Sequence, residues 1–463
     1  MYSPLLSKRE IELFNKLHDR KVRDAETFNH EDYQGVKTSV VDKYPESAHF
    51  VYELLQNADD VFATYAEFML FDDGLIFKHN GTIPFSISDE GQKPLGHINS
   101  ITSIGNSSKR NNYNKIGKFG VGFKSVFTYT DTPEIYDDKF WFRIENLIVP
   151  CLLNEDNKYR DKGETLFYIP FKANNNYRDI YGRLHNLDNP IAFLSNLQKI
   201  KVKIIGGGNT IKDEKEYYKK IVDSRKCNGF FFQKTIFNNN GNNNTYLFFS
   251  KKISFEDILL DIVVGYGYDD EKKVLKFNEG GKVYCYFPTK ENFGTSYIAH
   301  APFILVDNRQ SLKDDKFNNE LIGELANLAA NALVFIRDYG IEIGHGLINE
   351  NIMRLFPFDF EDELCYAWAE ITRENIIKAK FREVFEKERL FLTNEKFEYV
   401  GIDNAYTCTP VTILDYFTDK QLNELTSNAD SHFLVKGLCN NWKIKDKLSE
   451  TFGINELKSE DIA

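Results

Sequence analysis

The chain has 463 residues, 42% of them apolar and 27% charged, which excludes a disordered or collagen-like polymer and fits a folded globular protein. Its net charge of −11 argues against a uniformly basic nucleic-acid-binding surface, although a local basic patch is compatible with it. The six cysteines, Cys151, Cys227, Cys285, Cys365, Cys408 and Cys439, form no CxxC pair, so neither a zinc site nor a dense disulfide framework is expected. The first twenty residues are charged and carry no signal-peptide core. No run approaches the ~20 apolar residues of a membrane span, so a soluble, cytoplasmic protein without a membrane partner is expected. The aromatic share of 14% predicts aromatic-rich cores.

In chain order, Ile11, Leu13, Phe14 and Leu17 predict a helix over 7–20. A second amphipathic helix is predicted over 46–64. Ala66–Phe71 and Leu75–His79, joined by Asp72-Asp73-Gly74, form a hairpin pattern. A Gly/Ser/Asn-rich stretch over 91–122 leads into the apolar run Phe123–Phe127. Strand patterns follow at Phe140–Ile144, Thr165–Pro170 and Ile200–Ile205, and Gly206-Gly207-Gly208 suggests a boundary near 210. Asn238–Asn244 is low in complexity and predicts a hairpin tip. Strands are then predicted at Thr245–Phe249, Ile258–Gly265 and Lys282–Phe287, and helices at Glu320–Arg337 and Tyr366–Glu386.

Four segments carry candidate chemistry. On the 46–64 helix, Glu53, Asn57 and Asp60 stand at i, i+4 and i+7 and share one face. An Asn amide oxygen suits Mg²⁺, and a Glu one turn earlier suits a water attacking a phosphate. By itself this spacing is commonest on a solvated helix face. Gly117-Lys118-Phe119-Gly120-Val121-Gly122 reads as a glycine turn opening a helix, which aims free N–H groups at an anion. It is GxxGxG rather than GxGxxG and follows a loop, so it fits neither a dinucleotide fingerprint nor a P-loop. His79-Asn80-Gly81-Thr82 ends the second hairpin strand, where a side-chain carbonyl suits an adenine amine; Asn-Gly is also a common turn. Ile101–Lys109 is small, polar and suited to a lid.

Together, YELLQNADD (52–60), HNG (79–81), SIGNSSK (103–109) and IGKFGVGFKSVF (116–127) resemble the GHKL (Bergerat-fold) ATPases, in wording closest to their sacsin-like and ninety-kilodalton heat-shock-chaperone-like branch. The resemblance is specific over about 46–130. It implies ATP and Mg²⁺ as cofactors, Glu53 as general base, Asn57 as metal ligand and Asp60 as a supporting polar group. It further implies phosphate-cradling amides from Gly117 to Gly122, lid residues Ser107 and Lys109, and Thr165 beside the adenine edge. The aspartate usual at the adenine-recognition position is missing; strict register puts His79 there, but Asn80, with Gly81, is preferred because its carbonyl accepts from the amine. Tyr284–Thr289, Ala301–Phe303 and Asp307-Asn308-Arg309 resemble the segment following the nucleotide domain in sacsin-like proteins. Arg309 is therefore the candidate γ-phosphate contact, with Lys290 and Lys313 as fallbacks.

The resulting expectation is an α+β chain. A Bergerat-type α/β sandwich occupies 1–210, a transducer-like α/β domain 211–340, and a mixed, mainly helical region 341–463. Its function is a Mg-dependent, slowly hydrolysing ATP switch, chaperone-like or the ATPase of a multicomponent bacterial antiviral defence system. It acts as a homodimer or with partner proteins, and meets nucleic acid only through a partner. The alternative is a nucleotide-binding scaffold without significant hydrolysis. A histidine kinase is disfavoured, because His18 alone lies near a suitable helix and such kinases typically lack a glutamate at the position of Glu53.

Overall fold

A computed structural model of the chain describes residues 5–28, 50–103, 123–172, 176–255, 258–277, 281–306, 311–357, 368–426 and 428–461. Among these, α1 (Lys8–Phe28) and α2 (Phe50–Asp60) precede the hairpin β1 (Tyr65–Phe71) and β2 (Gly74–His79), then α3 (His97–Ile101). Next come β3 (Glu134–Tyr136), β4 (Trp141–Glu145), β5 (Val149–Leu152), β6 (Thr165–Pro170), α4 (Asn176–His185) and β7 (Lys199–Gly206). Strands β8 (Thr210–Lys226), β9 (Phe231–Asn239), β10 (Asn242–Phe255), β11 (Ile258–Asp269), β12 (Val274–Lys276), β13 (Lys282–Cys285), β14 (Phe287–Asn292) and β15 (Tyr297–His300) lead to the long helices α5 (Lys316–Glu342) and α6 (Trp368–Lys387).

The chain is α+β, as expected, and one large mixed sheet dominates it. The order is β14-β13-β15-β11-β10-β9-β8-β7-β1-β2-β6-β3-β4-β5, with β12 on β11. Most neighbours are antiparallel; β1 with β7 and β13 with β15 are parallel. The sheet runs without a break through residue 210, because β8 pairs with β7 on one side and β9 on the other.

Strand alternation decides what each face carries. Phe68, Leu70, Leu75 and Phe77 face a core shared with Phe14, Val51, Leu54, Leu55 and Ala58 of α1 and α2. Phe68 and Phe77 are opposed in register with ring centroids 4.6 Å apart. The other face of the same hairpin pairs Glu67 with Lys78, and Lys203 of β7 and Glu164 join them at 2.7 and 2.9 Å. His79 has the parity of Phe77, and Thr165 and Phe167 oppose His79 and Phe77 from β6, so all three face α2.

The Asn-rich segment forms the tip between β9 and β10, where Asn240 (φ 51°) and Gly241 (φ 88°) supply the positive φ pair of a tight hairpin turn. Helix α5 lays Leu321, Leu325, Ala329, Leu333 and Ile336 against Leu247, Phe249, Val264 and Tyr266 in a second core that continues into the C-terminal region. That region is mixed, with shorter helices at Asp419–Thr426 and Trp442–Phe452. Beside α6 it holds a two-stranded sheet (Phe391–Leu392 with Tyr399–Val400) and three strands, His432–Phe433, Ala405–Thr409 and Asn455–Lys458, in parallel pairing. No helix among the described residues is long and apolar enough to cross a membrane.

Candidate functional site

The spacing on α2 is commonest on a solvated helix face, but ten of its eleven residues are buried, Glu53, Gln56, Asn57 and Asp59 among them. Burying four short polar side chains in eleven residues requires partners or a cavity. Asp59 has partners: its carboxylate accepts from the backbone N–H groups of Ser195, Asn196 and Leu197 at 2.9, 2.7 and 2.8 Å. Each such charge-assisted bond is worth ~1.5–3 kcal/mol, so Asp59 fastens the end of α2 to the loop before β7.

Asn57 has the cavity. A cleft open to solvent is lined by Asn57, Val61, His79, Ile83, Phe85, His97, Thr165 and Phe167. Helix α2 forms one wall, the ends of β2 and β6 the floor, and the 83–97 segment the other wall. That segment is fixed by buried Asp137, which accepts from the Phe85 N–H at 2.7 Å, and by Asn99, which exchanges bonds with the Ser88 backbone at 2.9 and 3.1 Å. The lining is mostly apolar with a few convergent polar groups, as small-molecule sites are.

Asn57, His79 and Thr165 are 8%, 3% and 4% exposed. Among the described residues no hydrogen bond satisfies the Asn57 amide or the Thr165 hydroxyl. His79 accepts one at Nδ1, from the Gly81 N–H at 3.0 Å. Burial holds the His79 imidazole down to about 3, so it is neutral at physiological pH. Asn80, preferred over it from the sequence, is exposed and turned away. Its Oδ1 accepts from the Thr64 and Tyr65 N–H groups, each at 2.9 Å, and its Nδ2 donates to the Thr64 hydroxyl at 2.9 Å. Asn80 thus caps the start of β1, and the residue beside it lines the cleft. Period-2 alternation carried that signal: the parity of Phe77 assigns His79 to the helix face and Asn80 to the other.

Glu53 lies one turn from Asn57, buried and outside the cleft lining; Asp60 is half-buried at the end of α2. Gly81 packs so closely that a Cβ there would meet the Val61 Cγ2 at 2.4 Å and the His79 ring at 2.9 Å. Phe123–Thr128, expected to continue the glycine turn as a helix, is a single 3-10 stretch. Lys124 in it is neither solvated nor turned to the cleft. It is buried, with its ammonium bonded to the Leu147 carbonyl and 5.5 Å from the Phe127 ring. Burial, with Lys21 adding, pushes its pKa down to about 7. Ser107, Lys109, Gly117, Lys118, Phe119, Gly120, Val121, Gly122 and Arg309 lie outside the described residues. Of the fallback cations, Lys290 and Lys313 are exposed. Strand β14, which carries Lys290, abuts the site helix: Phe287 stacks on Tyr52 of α2 at 4.4 Å. His97, Val61, Ile83, Phe85 and Phe167 complete the lining without having been singled out in the sequence.

Comparison with known proteins finds a match to the Sacsin-domain family over residues 96–145. The chain is similar to Protein NO VEIN of Arabidopsis thaliana, 23% identical over 360 residues, which are 71% of this chain and 12% of that protein. It is also similar to Sacsin of Homo sapiens, 35% identical over 114 residues, which are 22% of this chain and 2% of that protein. The chain therefore spans a small part of either relative's length, and the similarity fits a sacsin-like family.

Proposed function

We propose that the chain is a Mg²⁺-dependent, ATP-binding conformational switch of the GHKL type. The reading rests on one observation: Asn57, His79 and Thr165, brought from a helix and two adjacent strands, meet in a cleft where no described residue satisfies Asn57 or Thr165. Polar groups that line a cleft without a described protein partner are what a ligand site presents. The residues fit the implied group, since an amide oxygen on an otherwise buried helix is a hard donor suited to Mg²⁺. Bound there, Mg²⁺ would neutralise charge on the phosphates.

In this reading Asn57 holds the metal, and His79 and Thr165 line the base end of the cleft. Gly117–Gly122 supply amides to the phosphates, and Ser107 and Lys109 belong to a lid. Glu53 orients the attacking water and accepts its proton. Arg309 contacts the γ-phosphate, and the contact of Phe287 with α2 links the site helix to strand β14. A ligand moves such an equilibrium only through contacts that differ between the two states, which is the role given to the lid and Arg309. ATP-dependent self-association, or association with a partner protein, would be the output. A chaperone-like role is supported by the similarity to sacsin; a role in bacterial defence rests on composition alone.

A second reading, a nucleotide clamp without significant hydrolysis, is favoured by Glu53 lying outside the cleft lining. Phosphate release by the wild type and by Glu53→Ala separates the two. A wild-type rate at least tenfold above that of the variant supports the switch, and equal background rates support the clamp.

A further inference from the structure

The nucleotide reading leaves open how the base is read, and the geometry at the end of β2 bears on it. The Nδ1 of His79 accepts the Gly81 N–H at 3.0 Å. A ring nitrogen that accepts carries no proton, so the neutral imidazole carries its proton on Nε2. The ring is 3% exposed and lines the cleft, and among the described residues nothing hydrogen-bonds Nε2. Its orientation is held on several sides. Phe77 and Phe167 stand 5.8 and 6.2 Å away, and Gly81 is so close that a Cβ would press on Nδ1.

The cleft therefore presents an N–H donor where the resemblance would place a carboxylate acceptor. A carboxylate rewards the 6-amino group of adenine and repels a 6-keto oxygen; an N–H donor does neither. We propose that His79 is the base-reading residue and reads with an N–H donor, so that the site takes 6-keto purine nucleoside triphosphates at least as well as ATP. The proposal rests on the nucleotide reading above and sharpens its ligand class. Thr165, opposite His79 in register, does not oppose this, because its hydroxyl can donate or accept. The neutral ring keeps the preference constant across physiological pH.

The test is competition of ATP and ITP, which differ at the purine 6-position and the adjoining N1, against a fluorescent ATP analogue bound to the full chain with Mg²⁺. The wild type is expected to bind ITP as tightly as ATP or more tightly. His79→Asp is expected to move the ratio at least tenfold towards ATP, the scale of one buried hydrogen bond gained or left unmade. His79→Asn, whose amide oxygen also accepts, serves as a second variant, and the wild-type ratio decides even if neither variant folds. A tenfold or greater wild-type preference for ATP overturns the proposal and leaves the nucleotide reading standing, as does a ratio unmoved in a folded variant. Failure of the analogue to bind overturns both.

Discussion

In the cleft, Asn57, His79 and Thr165 are at most 8% exposed, and the one hydrogen bond described for their side chains is that accepted by His79. Two residues beyond Asn57 on the same helix, Asp59 is 1% exposed and accepts three backbone amides. Nearby, Lys124 is equally deep and donates to Leu147, and on the back of the sheet Lys78 is flanked by Glu67 and Glu164. All are buried polar groups in one sequence neighbourhood. Where the protein supplies the partner, the group fastens elements together; Asn57 and Thr165, with no described partner, line the cleft instead.

Substitutions that treat the two sets alike would break this contrast. Asp59→Ala should have the largest effect, ~3–5 kcal/mol of lost stability in urea unfolding, because three amides and the end of α2 lose their acceptor. Gly81→Ala should cost ~1–3 kcal/mol, since its Cβ would overlap the Val61 methyl, and should also weaken nucleotide binding by pushing the His79 ring. Lys124 should make stability rise with pH. Its folded value lies near 7 and its unfolded value near 10.5, so the unfolded chain holds a proton that the folded chain has released. Between pH 7 and pH 8 the wild type should gain ~1 kcal/mol more than Lys124→Met does. Lys219, held down to about 8 by burial, adds a smaller rise over the same interval in both proteins and its main rise above pH 8. Asn57→Ala should change stability least, by ~0.5 kcal/mol or less and in the stabilising direction, because alanine is the better helix former and no described bond is lost. A large loss of stability in Asn57→Ala would erase the contrast.

Much of the frame was legible in the sequence. The hairpin at 65–79, strand β6 and helices α2, α5 and α6 announced themselves by apolar period and by the Asp, Gly and Asn that bound them. Strand β8 did not. It is largely exposed, so Lys, Glu and Asp stand where apolar alternation would have marked it, and long β-pairing on both sides holds it instead. The small C-terminal strands were too short to leave a period. At the site, the polar residues of α2 were visible as a group, but the partners of Asp59 come from residues 195–197, far away in the chain. Asn80 has the better acceptor chemistry for an amine, but strand parity turns His79 in and Asn80 out.

The central claim is that Asn57 and the cleft beside it take a magnesium nucleoside triphosphate. Its most direct test is calorimetric titration of the full chain with a non-hydrolysable ATP analogue, with and without Mg²⁺, in wild type and Asn57→Ala. Saturable binding that requires Mg²⁺ and weakens at least tenfold in an Asn57→Ala protein of unchanged stability is the predicted result. Absence of binding, or equal affinity in the two proteins, would contradict it.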